Sequence, residues 1–212
     1  MRRLAILGAS GHGKVIADAA ALSGWTTVVF FDDAWPSVSH VRDWPVSGTS
    51  ADLCRQSSEF NGFVVAIGAN PVRLLKHHAL TAAGLSAATI IHPSATVSPS
   101  AELGAGSVVL AGAVVNPDAR LGISCIVNTC ASVDHDCTLE DGVHVSPGAR
   151  LGGNVMVGEA AWIGIGASIR HNVRIGARAI VAAGAAVVGD VADGITVAGV
   201  PARPLPSSQI PR

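Results

Sequence analysis

The sequence predicts an α/β unit of half-Rossmann type followed by an all-β parallel β-helix, and three observations carry that reading. First, an aliphatic residue stands at every sixth position from Ile91, Val97 and Leu103 through to Ile175, Val181 and Val187, without a miss. Second, a small or β-branched residue sits two places before these rungs, as at Ala95, Ser107, Cys125, Cys137, Ala161 and Ala179. Third, the residues before this ladder read strand, glycine loop, helix, strand. A period of six fits neither the helical 3.6 nor the alternation of a flat strand. It is the hexapeptide repeat, in which each short strand ends in a corner and the rungs fill the interior. Three hexapeptides close one triangular coil, so residues 18 apart stack at about the 4.8 Å strand spacing. The expected units are residues 1–88, 89–198 and a tail, 199–212.

Composition narrows the function classes. A net charge of −1 with 14 scattered Lys and Arg leaves no basic stripe for nucleic acid. Apolar residues make up 49% of the chain, yet no run approaches 18 uninterrupted apolar positions, so no membrane span is expected. Four apolar residues before Gly8 are too few for a signal peptide core, and the cytoplasm is the expected compartment. Cys125 and Cys137 occupy the inward slot that Ala usually fills, so the four cysteines, with Cys54 and Cys130, read as reduced core residues rather than two disulfides.

Leu4 to Leu7 predicts a buried strand, Gly8-Ala-Ser-Gly-His-Gly13 a tight loop, Lys14 to Leu22 an Ala-rich helix, and Thr26 to Phe31 a second strand ending at Asp32-Asp33. This order puts backbone N–H groups and a helix N-terminus where a phosphate would sit, with a carboxylate pair about 20 residues on for a ribose or base. The spacing Gly8-x-x-Gly11-x-Gly13 differs from the dinucleotide fingerprint, so a glycine turn that only packs strand on helix stays open. A short helix is expected around Ala51 to Gln56, a third strand over Phe63 to Ile67, and a helix over Pro71 to Ala83 that carries His77-His78 on a solvated surface. Ligands of open α/β sheets bind at carboxyl strand ends, which gathers Ser10, Gly11, His12, Asp32, Asp33 and Gly68 into one candidate crevice. Pro93 and Pro99 each fall two residues past a rung, at corners.

Chemistry must come from side chains that break the repeat at its corners. His135, Gly153 and His171 are 18 apart and stack in one column, with Asp134 and Asp136 flanking the first. A glycine beneath a histidine leaves space and an accessible N–H. His144 lies nine residues from His135, half a coil away on the opposite side of the prism, so the two cannot meet within one chain. They meet across a three-fold axis, which predicts a homotrimer whose sites combine His135 of one chain with His144 and Asn128 of the next. A rival reading is a zinc-dependent hydratase; zinc needs ligands each about 2.0–2.1 Å away, and His171 is two coils, roughly 10 Å, from His135. A nucleotide-binding module on an inert scaffold is a third.

The motifs Gly8-Ala-Ser-Gly-His-Gly13, Asp32-Asp33, Ala66-Ile67-Gly68-Ala-Asn70, Ile91-His92-Pro93-Ser94-Ala95, Asn128-Thr129, His135-Asp136, His144-Val145-Ser146, Gly153-Asn154-Val155 and Gly199-Val200-Pro201-Ala202 resemble the bacterial nucleotide-sugar acetyltransferases over nearly the whole chain. Within them the likeness is greatest to the bacillosamine-pathway N-acetyltransferases, with perosamine N-acetyltransferases and sialic-acid O-acetyltransferases as relatives. That resemblance implies a left-handed β-helix, a nucleotide sugar in the N-terminal crevice, and acetyl-CoA between subunits with no metal. It further implies His135 as base with Asp136 beside it, Asn128 and the Gly153 N–H at the reaction, and His144, Gly153, Ile165, Ala183 and Pro201 along the acetyl-CoA groove. The chain departs from the pattern at Asp136, where Glu is frequent, and at Ala69, where the bacillosamine enzymes tend to be polar.

Overall fold

The computed structural model describes residues 2–206. Apolar Leu4 to Leu7 and Val28 to Phe31 build a parallel sheet in the order β2-β1-β3, from β1 (Arg3–Leu7), β2 (Thr27–Phe31) and β3 (Gly62–Val65). Three helices flank it: α1 (Gly11–Leu22), α2 (Ser50–Arg55) and α3 (Asn70–Ala82). The half-Rossmann reading holds, with one shift at the glycine loop. α1 begins at Gly11, so only Gly8 to Ser10 form the turn and His12 lies in the first helical turn.

From Ile90 onward the chain is a parallel β-helix whose pairings up to Val187 join residues 18 apart, such as Val114 with Ser132 and Val133 with Leu151. Its first face holds strands such as Ile90–Ile91, Val108–Val109, Ile126–Val127, His144–Val145 and Trp162–Ile163; its second face holds Val114–Val115, Ser132–Val133 and Arg150–Leu151; its third holds Arg120–Leu121, Thr138–Leu139 and Met156–Val157. Rungs and small-slot residues together fill the interior from Val109 to Val187. At the N-terminal end the coil is open and Ile91 is 38% exposed, since no earlier coil covers it. Each corner from Gly106 to Gly184 turns on one left-handed residue, filled by glycine or by Asp118, Asp136, Asn154 and Asn172 among others, the residue types that reach this conformation most readily. The last coil is two residues short, with Val181 pairing Val197, 16 places on.

Cys125 and Cys137 are buried as expected, whereas Cys130 is exposed at a corner; all four thiols are free. The start of the tail, expected to be unpacked, folds back: Arg203–Pro204 pairs antiparallel with Thr196–Ala198 and Ala202 packs on the core. The rest of that tail, 207–212, lies outside the described residues. Among the described residues no helix is long and apolar enough to cross a membrane.

The α/β unit docks on the first face. Ile90, Val108 and Ile126 point outward there and join Ile16, Ala17, Ala20 and Phe30 in one buried cluster. α3 runs along the edge where the third face turns into the first. Its pitch of about 5.4 Å nearly matches the coil spacing of about 4.8 Å, so it presents roughly one turn per coil. His77 meets Gly106, and Leu74 meets Gly142. Arg73 donates to the carbonyls of Ser124 (2.9 Å) and Gly142 (2.6 Å), and Asn70 donates to those of Ala160 and Ala161, both at 3.0 Å. The expectation of a solvated His77-His78 pair is corrected here. His77 is buried between Phe63 and the Gly106 corner, and only His78 is exposed.

Candidate active site

The corner between the second and third faces carries His135. Its Nδ1 lies 2.7 Å from Asp136 Oδ2, and Asp134 accepts from the His135 N–H at 2.8 Å. Asp136 has the left-handed φ of 60° that the corner demands, and from there its short side chain reaches the imidazole. The hydrogen bond to Asp136 holds the exposed His135 above its ordinary pKa, with the nearby carboxylates adding to the effect. With Nδ1 engaged, Nε2 is left to face outward over Gly153. A Cβ at Gly153 would stand 2.5 Å from that Nε2, so the glycine exists for space. The Gly153 carbonyl accepts from Asn172, while its N–H has no partner among the described residues. Asp134, His135, Gly153, Asn154 and His171 line one open recess of about 450 Å³.

A second cluster lies on the first face, opposite that corner. His144 is 7% exposed, stacked on Trp162 (centroids 5.6 Å, planes 9° apart) and under His12 of α1 (6.3 Å, 25°). Asn128 Nδ2 is 3.2 Å from His144 Nε2. Burial, joined by the nearby Arg73 guanidinium, pushes His144 down to about 3 and His12 down to about 4. Within one chain His144, Asn128 and His12 are thus brought together and His135 stands apart, as the half-coil offset requires.

In the crevice, Asp32 accepts from the Ala9 N–H (2.7 Å) and the Ala34 N–H (2.9 Å), tying the glycine turn to the end of β2. Asp33 accepts from Lys76 Nζ (2.6 Å) and the Ser50 N–H (2.8 Å). Burial works against its charge, but these hydrogen bonds outweigh it and hold the carboxyl at about 2. Gly8 and Gly13 have packing reasons, since added Cβ atoms would meet Ala66 O at 2.8 Å and Gly8 O at 2.3 Å. Gly11 and Gly68 have none, each with open space where a Cβ would go, and Ser10 caps α1 without a side-chain hydrogen bond. The free N-terminus of α1 therefore opens beside two glycines that packing does not demand.

Residues 3–80 match the PglD N-terminal domain model, and residues 154–189 match the bacterial transferase hexapeptide model of six repeats. The acetyltransferase domain of PglB from Neisseria gonorrhoeae FA1090, solved in complex with acetyl coenzyme A, is 47% identical, with a TM-score of 0.92 over 96% of this chain and 99% of that one. The chain belongs to the nucleotide-sugar acetyltransferases. A mutant of perosamine N-acetyltransferase from Caulobacter crescentus, solved with CoA and GDP-perosamine, is 38% identical with a TM-score of 0.93 over 98% of both chains. WeeI from Acinetobacter baumannii AYE is 28% identical, TM-score 0.90, over 97% of this chain and 100% of that one. A search of curated protein sequences returned no match.

In this nucleotide-sugar acetyltransferase a groove adjoins Trp162, on which His144 stacks. Ile165 and Ala183, on adjacent coils, line an apolar groove of about 360 Å³ with Trp162, Ile180 and Leu205. Pro201 stands outside that lining, in the turn between Thr196–Ala198 and Arg203–Pro204. Trp162 and Arg73 are the residues that sequence reasoning passed over. Trp162 lies 18 beyond His144 in the same outward column, a signal the period carries; Arg73 had no local signal, because its partners are distant carbonyls. Among the described residues of one chain, no three His, Cys, Asp or Glu side chains are grouped to hold a metal.

Proposed function

We propose that the protein is an acetyl-CoA-dependent N-acetyltransferase acting on the 4-amino group of a nucleotide-linked amino-deoxy sugar, of the UDP-4-amino-4,6-dideoxy-N-acetylhexosamine type made in bacillosamine synthesis, in the cytoplasm. The observation that carries this is a histidine with Nδ1 on a carboxylate and Nε2 over a glycine with an unpartnered N–H. The family membership supplies the two substrates.

In this reading the sugar amine attacks the thioester carbonyl while His135 Nε2 takes the amine proton. Asp136 fixes the tautomer that leaves Nε2 bare. The Gly153 N–H receives the oxyanion of the tetrahedral intermediate. Collapse breaks the carbon–sulfur bond, and the imidazolium returns its proton to the departing thiolate, giving the N-acetyl sugar and free CoA. The nucleotide sits between the α1 N-terminus and Gly68, and the pantetheine arm follows Ile165 and Ala183. Trimer formation sets His135 of one subunit against the His144 face of the next.

The deciding experiment is thiol release from acetyl-CoA against a panel of UDP- and GDP-linked 4-amino sugars and their 4-hydroxy counterparts. A UDP-linked amine is expected to be turned over fastest. Preference for a GDP sugar or for a hydroxyl acceptor would overturn the substrate assignment. His135→Ala is expected to lower kcat by roughly the 10²–10⁴ of a general base, with acetyl-CoA affinity nearly unchanged.

A further inference from the structure

Asn128 and His144 form a unit whose polarity can be read from its outer bonds. The Thr129 N–H lies 2.8 Å from Asn128 Oδ1. Only an oxygen can accept there, so the amide is oriented with Nδ2 toward His144. Nδ2 is a donor, and His144 Nε2, 3.2 Å away, must be the acceptor. The remaining ring proton therefore sits on Nδ1. That atom is buried and has no partner among the described residues, and neither has Nε2 of His12, whose ring lies over the same imidazole. Trp162 closes the other side of the ring in parallel contact, so the ring plane is clamped as well as its tautomer.

We infer that Asn128 is a positioning residue that locks His144 in its Nδ1–H tautomer, making His144 a fixed neutral donor to an oxygen acceptor of the bound substrates. A buried donor without an acceptor is disfavoured in a folded protein, and here the acceptor arrives with the ligand. Neutrality is maintained by the surroundings: the titratable groups facing His144 are His12 from α1 and Arg73 from α3, and no carboxylate is among its perturbing groups. Asn128 thereby acts through His144 and not on the reacting atoms. The inference rests on the acetyl-transfer reading for its ligand and kinetic arms, whereas the tautomer of the free protein stands without it.

Two measurements test it. In protein labelled with ¹⁵N-histidine, with the His144 signals assigned by their loss in His144→Gln, Nδ1 is expected to be protonated and Nε2 bare at neutral pH. Acetyl-CoA and a UDP-linked amino sugar are then added separately, and the one that shifts the Nδ1 resonance supplies the acceptor. A His144 carrying its proton on Nε2, or no shift with either ligand, would overturn the inference. Asn128→Asp is close to isosteric and keeps the Thr129 contact, but presents an acceptor to Nε2. His144 in that variant holds Nε2–H and loses the Nδ1 proton as pH rises. Its rate should therefore fall at high pH, an alkaline limb that the wild type lacks; parallel pH profiles would count against the assignment. Should the wild type release no thiol with any amino sugar, the acetyl-transfer reading fails while the ¹⁵N tautomer still decides this one.

Discussion

The imidazole of His135 can lie over residue 153 only because that residue lacks a side chain: a methyl there would sit 2.5 Å from both Cε1 and Nε2. Gly153 has no positive φ, so alanine strains nothing in the backbone. Gly153→Ala is therefore expected to keep the melting temperature while displacing the imidazole, with a loss of about 10²-fold in kcat for an ångström of misplacement. A large drop in melting temperature would show that the glycine is structural after all. Asp136 sets the proton affinity of the same ring. His135 is raised above 6.5 chiefly by its hydrogen bond to Asp136, and a base works only when neutral, so kcat/KM should fall as pH drops through that raised value. In Asp136→Asn the acid limb should move to lower pH with a reduced plateau, and an unmoved limb would dissociate the carboxylate from the base.

α3 is held against the β-helix by hydrogen bonds to carbonyls, while its ion pair from Lys76 to Asp33 lies within the α/β unit. Arg73 is 1% exposed, donates to the carbonyls of Ile67 and Gly68 as well as Ser124 and Gly142, and is pushed down to about 10, first by burial. Arg73→Leu would orphan the Ser124 and Gly142 carbonyls, each costing about 1–3 kcal/mol, and should lower the melting temperature measurably; an unchanged value would mean that water replaces the guanidinium. The same docking buries His12 and His144 in their neutral forms. The unfolded chain binds protons at these sites near 6.5 and the folded one only near 4 and 3, so stability is complete above about 6.5 and declines as pH falls below it. Thermal melts from pH 7.5 to 5 should show this decline, reduced in His144→Gln. Much of this architecture was legible: the rungs gave the β-helix, and the column Ile90, Val108, Ile126 is the apolar outward series that marks the docked face. The α3 stripe Asn70, Arg73, His77 was not, because a polar stripe at helical spacing reads as solvated unless the carbonyl edge it meets is known. The reach of Asp136 was also illegible, since it depends on a corner φ that the period does not specify.

At the scale of the whole molecule, one chain presents half of the proposed site on each of two opposite parts of the prism. His135 and Gly153 stand at the corner between the second and third faces, whereas His144, Asn128 and the mouth of α1 belong to the first face. No hinge within the β-helix can bring them together, because every coil is fixed by parallel pairing to its neighbours. If the reaction uses both halves, it uses two subunits, and the arrangement becomes testable without a structure of the assembly. His135→Ala and His144→Ala should each be nearly inactive alone. Co-expressed in equal amounts, they should form mixed trimers in which about one interface in four pairs an intact His135 with an intact His144 across the heterologous contact. Activity should therefore return to about a quarter of the wild-type value per site. A site contained within one chain would give no recovery, since every chain in the mixture carries one of the two lesions; mixing the purified homotrimers without subunit exchange should also give none, which separates assembly from a solution effect.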